Sequence, residues 1–259
     1  MKIRKFLIKL IPFQDLRHKL HDMYFPHKIE IIAKTKCLFV APHPDDEMIG
    51  GGGVMCLYPK NFDVVVMGSS GNAWQSLTAE QRATIRTDEF GDVVNMLEIK
   101  DDWIVQTMGL NGITQMNELS REYLKALRTA QYDYIFVPVP HGRHPDHNHI
   151  VNKLFKRILR HSGYRKNLRI VFYEVWSLLP NPNCFIDTTK VIDRKTKILR
   201  LYKSAHVRSQ YADTSRALNQ YRGRQNNTLG FAEEFFFDSV HNYLHHHYKV
   251  PIDGSQLLP

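Results

Sequence analysis

Cysteine is scarce and unpatterned in this chain: Cys37, Cys56 and Cys184 are the whole complement of 259 residues, an odd number without framework spacing. A disulfide-stapled fold is therefore excluded, and reduced, mostly packed thiols of a cytoplasmic protein are expected. Long apolar runs are missing too, so no stretch is suited to span a bilayer as a helix. The opening Met1 to Phe13 is basic and apolar, but Lys9 interrupts it and no small-residue cleavage site follows, which argues against a secretory signal. There is no internal repeat, no low-complexity linker and no nucleic-acid-binding motif, so nucleic acid is not an expected partner. The glycines Gly50 to Gly53 lack both the spacing of a dinucleotide loop and the Lys-Ser/Thr of a phosphate-binding loop; close backbone packing is their expected use.

What the chain does have is a hydrophobic fraction of 43%, enough for a full core in a single domain. It also carries a formal net charge of +9. Much of the excess falls in Lys2, Arg4, Lys5, Lys9, Arg17, Lys19 and Lys28, and again in Arg157, Arg160, Arg165, Lys166 and Arg169. A solvated surface accounts for such a charge. Alternatively, residues 3–24 form a basic amphipathic helix, with Ile3, Phe6, Leu7, Leu10 and Ile11 near helical spacing, that lies peripherally on an anionic membrane. The expected organisation is a basic segment over residues 1–32, a folded domain over 33–240 and a polar tail over 241–259.

From residue 36 onward, short β-branched runs alternate with longer helical periods, the pattern of βαβ units. Strands are expected at 37–41, 63–67, 104–106, 134–139 and 169–176, and helices at 50–57, 78–97, 115–130, 147–160 and 188–202. The predicted fold is α/β: a Rossmann-like, mostly parallel sheet flanked by helices, with ligands bound at the carboxyl ends of strands.

Two polar clusters fall at such ends, Pro42-His43-Pro44-Asp45-Asp46-Glu47 and His144-Pro145-Asp146-His147. A catalytic zinc site takes three protein ligands and leaves one position open, and His43, Asp46 and His147 would supply them. Asp45 is then the candidate general base, because the attacking water needs a carboxylate beside the metal but not on it. In the second cluster His144 and His147 again lie three apart, so one can bind metal while the other faces the substrate, with Asp146 orienting an imidazole. Each piece has a plainer use: Asp45 or Asp46 as a helix cap, the second cluster as a surface turn. Two histidines and a carboxylate also make the facial triad of non-haem iron oxygenases, but those sites need no adjacent base.

The same residues resemble the PIG-L or LmbE-like zinc-dependent N-deacetylases, marked by a His-Pro-Asp-Asp-Glu motif and a later His-Pro-Asp-His. Arg86 and Glu89 match that family's Arg-x-x-Glu; Tyr173-Glu174, Phe185-Ile186-Asp187, Ser209-Gln210, Arg222-Gly223-Arg224, Gly230 and Ala232-Glu233-Glu234-Phe235 match later landmarks, so the similarity covers about residues 35–237. The resemblance implies zinc (Zn2+, with Fe2+ or Co2+ as substitutes) on His43, Asp46 and His147, Asp45 as base, and His144 with Asp146 for oxyanion stabilisation or amine protonation. Arg86 would hold substrate hydroxyls and Arg143 is a further candidate contact. The implied reaction removes acetate from an N-acetylglucosamine-type sugar. Where some members carry a tyrosine before the second cluster, this chain has Gly142. Glu47 is expected to buttress the loop, His245 to His247 to be incidental, and Phe235 to Phe237 to pack in the core. A non-catalytic membrane- or glycan-binding protein of the same fold is the rival reading.

Overall fold

Residues Cys37, Phe39 and Ala41 pack into one apolar cluster while Leu38 and Val40, between them, pack into another, so this short strand is buried on both faces. That is the signature of a central parallel strand covered by helices on each side. The computed structural model describes residues 26–31, 34–68, 77–99, 132–140, 144–162, 164–205 and 210–245. The expected helices over 3–24 and 115–130 and the expected strand at 104–106 lie outside these residues.

Strands β1 (His27–Lys28), β2 (Cys37–Ala41), β3 (Phe62–Val66), β4 (Tyr134–Pro138), β5 (Arg169–Tyr173), β6 (Cys184–Asp187) and β7 (Ala232–Ser239) form one sheet in the order β1-β6-β7-β5-β4-β2-β3. Pairing is parallel from β3 through β2 and β4 to β5, and between β1 and β6; β7 runs antiparallel to both its neighbours. The expected single-domain α/β architecture is what the chain adopts. Helices α1 (Asp46–Leu57), α2 (Ala79–Leu97), α5 (Ile192–Leu199) and α6 (Tyr211–Gln225) contribute to the side of the sheet that holds Phe39 and Tyr173. The other side is covered by α3 (Pro145–His149), which runs through a π turn (Ile150–Phe155) into α4 (Lys156–Ser162), and by α7 (Val240–His245), where Tyr243 is fully buried.

Several elements differ from their sequence-based bounds. The first helix begins at Asp46 rather than Gly50, so the carboxylates of the first cluster ride on its opening turn. The strand expected over 169–176 stops at Tyr173, and the helix expected over 188–202 is shortened to Ile192–Leu199. Strands β6 and β7 and helix α6 were not anticipated. In α6 the buried positions Ala212, Ser215, Asn219, Arg222 and Gly223 recur at helical spacing but are small or polar, so apolar periodicity does not reveal them. In β7 the buried residues include Glu233 and Glu234, which break the expected alternation.

The glycine run of α1 is used for close packing. A Cβ on Gly50 would fall 2.2 Å from the Tyr173 ring, and one on Gly51 would fall 2.2 Å from the Phe39 ring. Each glycine in a helix costs about 0.5–1 kcal/mol relative to alanine, a penalty accepted here because the helix lies directly on the sheet. All three cysteines are free and buried, and burial pushes their thiols up.

Candidate functional site

Strands β2 and β4 are parallel neighbours, yet the chain leaves β2 for β3 on one side and returns to β4 on the other. The topological switch point therefore lies at their carboxyl ends, where helices diverge and leave a crevice. His43 leaves the end of β2 and His144 follows the end of β4, so the two polar clusters meet there.

Asp46 is the hub. Its Oδ2 accepts a hydrogen bond from the His43 backbone N–H at 2.9 Å, lies 3.3 Å from His43 Nδ1 and lies 3.1 Å from His147 Nε2. The rings of His43, His144 and His147 have centroids 4.9–5.4 Å apart, and each offers a nitrogen within 4.8 Å of the others. Asp46 is fully buried and His147 is nearly so. Burial on its own would raise the Asp46 carboxyl, but the His147 and His43 imidazoles hold it well below the usual carboxylate range. Its Oδ1 has no hydrogen-bond partner, and the 3.1 Å approach of His147 Nε2 lacks hydrogen-bond alignment. A buried oxygen left unused beside imidazole nitrogens costs about 1–3 kcal/mol unless something else occupies it. Two or three imidazoles with one carboxylate are a fitting donor set for a divalent cation of the zinc type.

Asp45 turns away from this hub. Its carboxylate Oδ2 accepts from Arg86 at 2.9 Å, and the same guanidinium also donates to the Pro44 carbonyl. Burial lifts Asp45 to about 6, against the opposing pull of Arg86. The residue has φ 131°, a conformation that L side chains rarely adopt, and such strain concentrates at functional sites. Although Asp45 is the N-cap residue of α1, its side chain makes no capping bond, so the helix-cap explanation does not account for it. Arg86 is buried and committed to Asp45; Glu89, three residues along the same helix, instead accepts from the Ser204 N–H and hydroxyl. Glu47 braces the turn as expected: Oε2 accepts from Asp45 N–H at 3.1 Å and Oε1 accepts from the Tyr202 hydroxyl, with burial pushing its carboxyl up to about 8. Arg143 and Gly142 lie outside the described residues, as does the side chain of Asp146.

Sequence reasoning missed the braces behind the site. Tyr202 reaches Glu47, Tyr173 donates from its hydroxyl to the Val40 carbonyl at 2.8 Å, and Lys195 is buried against α1. Tyrosines at the ends of apolar periods gave no signal of these contacts, and Lys195 reads from sequence as an ordinary helix-surface charge.

Fold and site together define an α/β protein with a histidine- and carboxylate-lined candidate metal centre at its topological switch point. Residues 38–159 match the family described as PIG-L, GlcNAc-PI de-N-acetylase. It is 25% identical over 187 residues to the diacetylchitobiose deacetylase of Thermococcus kodakarensis, covering 65% of this chain and 69% of that protein. Among solved structures, it is similar to the N,N'-diacetylchitobiose deacetylase of Pyrococcus horikoshii, with TM-score 0.63, 21% identity, and coverage of 94% of this chain and 97% of that one. It is also similar to the 4-carboxy-2-hydroxymuconate hydratase of Pseudomonas putida, with TM-score 0.62, 16% identity, and coverage of 79% and 96%. The fold thus serves a deacetylase in one relative and a hydratase in another, so function has to be argued from the site. Among the described residues, no helix is long and apolar enough to cross a membrane.

Proposed function

We propose that this protein is a metal-dependent hydrolase that removes the N-acetyl group from an N-acetylglucosamine-type sugar, releasing acetate and a free amine. The observation that carries this reading is the division of labour between adjacent carboxylates: Asp46 faces two imidazoles, while Asp45 faces a guanidinium. His43, Asp46 and His147 would hold the metal, zinc by preference of this donor set, with Fe2+ or Co2+ as substitutes. When bound, a divalent ion of this kind lowers the pKa of water and polarises an amide carbonyl.

The chain's own residues do the rest. Asp45 takes the proton of the attacking water, and Arg86 fixes the direction of that carboxylate rather than reaching for sugar hydroxyls. His144, whose ring lies against both His43 and His147, stabilises the oxyanion or gives the departing amine its proton. Glu47 and Tyr202 hold the turn that carries both aspartates. Deacetylase activity of the Thermococcus relative supports the choice of amide hydrolysis over hydration.

The test is acetate release from a panel of N-acetylglucosamine conjugates, comparing the protein as purified, after chelation and reloading with zinc, and as Asp45→Asn. Release that is lost on chelation, restored by zinc and absent in the variant is expected. Release that survives both treatments would sink the assignment.

A further inference from the structure

At the same end of the sheet, a short loop holds an aromatic side chain in the open. Glu174, the residue after β5, is buried, and its Oε1 accepts from the Leu179 N–H at 2.6 Å. Arg222 closes the clamp by donating to both Glu174 oxygens and to the Leu179 carbonyl, while its remaining nitrogen meets Glu234 at 2.6 Å. Burying an arginine with two glutamates carries a heavy desolvation cost, and its return is a loop with one fixed shape. Between the clamped ends stand Trp176, 41% exposed, and Leu178, 52% exposed. A lone exposed tryptophan needs no explanation, but one on a loop immobilised in this way does.

Trp176 meets Tyr211, the first residue of α6, edge to face, with ring centroids 5.3 Å apart and planes at 74°. The two rings make a corner, and both ends of that corner rest on the helix that carries Asp46. One turn beyond Tyr211, the Ser215 hydroxyl donates to the Ile49 carbonyl of α1 at 3.2 Å. Two residues before Trp176, the Glu174 carbonyl would lie 2.9 Å from a Cβ on Gly50 of α1. The corner is therefore attached to the first two turns of the helix that carries Asp46.

We infer that Trp176 and Tyr211 form a stacking subsite for a second pyranose ring, the one joined to the sugar that bears the acetamide. The C–H bonds on one face of a pyranose make an apolar surface that packs on an indole, while its hydroxyls stay in water at a half-exposed site; an aromatic corner beside a polar centre suits that ligand. This inference rests on the deacetylase reading for the identity of the first ring.

The experiment compares N-acetylglucosamine with a β-linked N-acetylated disaccharide for the wild type, Trp176→Ala and Trp176→Phe. Trp176→Ala should lower the disaccharide-to-monosaccharide ratio of kcat/KM by about three- to tenfold, chiefly through KM, and Trp176→Phe should restore most of it. An unchanged ratio would overturn the subsite. Calorimetric titration of the disaccharide into chelated protein reads the subsite without turnover. Weaker disaccharide binding by Trp176→Ala there supports it even if no acetate is ever released, whereas equal binding by the two proteins, or none by the wild type, overturns it. Loss of sedimentation with anionic vesicles, without any change in sugar binding, would assign the corner to lipid and likewise overturn the proposal.

Discussion

Two buried polar clusters touch helix α1, and they are finished differently. Toward its middle, Lys195 spends its three N–H bonds on the Ile49 carbonyl, Asn219 Oδ1 and Glu233 Oε1, at 3.0, 2.8 and 2.8 Å. Glu233 answers with both oxygens, accepting from Gly53 N–H at 2.6 Å and Val54 N–H at 2.8 Å. At the opening turn, by contrast, Asp46 is as deeply buried but leaves Oδ1 without a partner and faces imidazoles of which one is not aligned for hydrogen bonding. Burial alone does not distinguish a structural ion pair from a site; the count of satisfied lone pairs and protons does. The closed cluster fixes the helix, and the open one keeps a buried carboxylate oxygen that no protein group satisfies.

The largest effect expected from this contrast is on the open side. Asp46→Asn should abolish stoichiometric metal binding, read by elemental analysis after dialysis, and reduce acetate release by about 10³-fold or more, with the melting temperature of the chelated protein nearly unchanged. Unfolding of that variant would mean that the open cluster is structural after all. On the closed side, Lys195→Met leaves Glu233 buried without its cation and should destabilise the protein by about 3–5 kcal/mol in urea unfolding. A cost below about 1 kcal/mol, in the range of exposed ion pairs, would show that water reaches the pair.

Glycine positions sharpen the same comparison at smaller scale. A Cβ on Gly53 would meet Thr188 at 2.5 Å and Glu233 at 2.7 Å, so Gly53→Ala should cost about 1–3 kcal/mol. Gly91 in α2 has nothing within 4 Å of such a Cβ, and Gly91→Ala should stabilise by about 0.5–1 kcal/mol. Opposite signs in paired unfolding curves are the check. A comparably small effect is expected at the exposed start of α2, where Thr78 and Gln81 form a reciprocal capping box; Thr78→Ala should cost about 1 kcal/mol and leave metal binding untouched.

The elements that carry the site were legible because their signals are local. The strand ending at Ala41, the helix capped at Thr78 and the strand from Tyr134 announce themselves through β-branched runs, a capping box and apolar burial. Helix α6 and strand β7 were not legible because their inward faces are built from serine, asparagine, arginine and glutamate, whose burial depends on partners far along the chain. Arg86 illustrates the same limit at the site: its spacing to Glu89 suggests a bridge along one helix, and only the approach of the turn at Pro44 and Asp45 gives it a different partner.

The sequence by itself determined the α/β class, the two polar clusters and their position after apolar strands, since residue type and short-range periodicity are encoded where they act. Tertiary structure alone decided that β2 and β4 become neighbours, that Arg86 pairs with Asp45, and that Lys195 and Arg222 are interior charges. Those outcomes depend on strand order and on which groups are left to satisfy one another once water has been excluded, and neither is a property of any local stretch of chain.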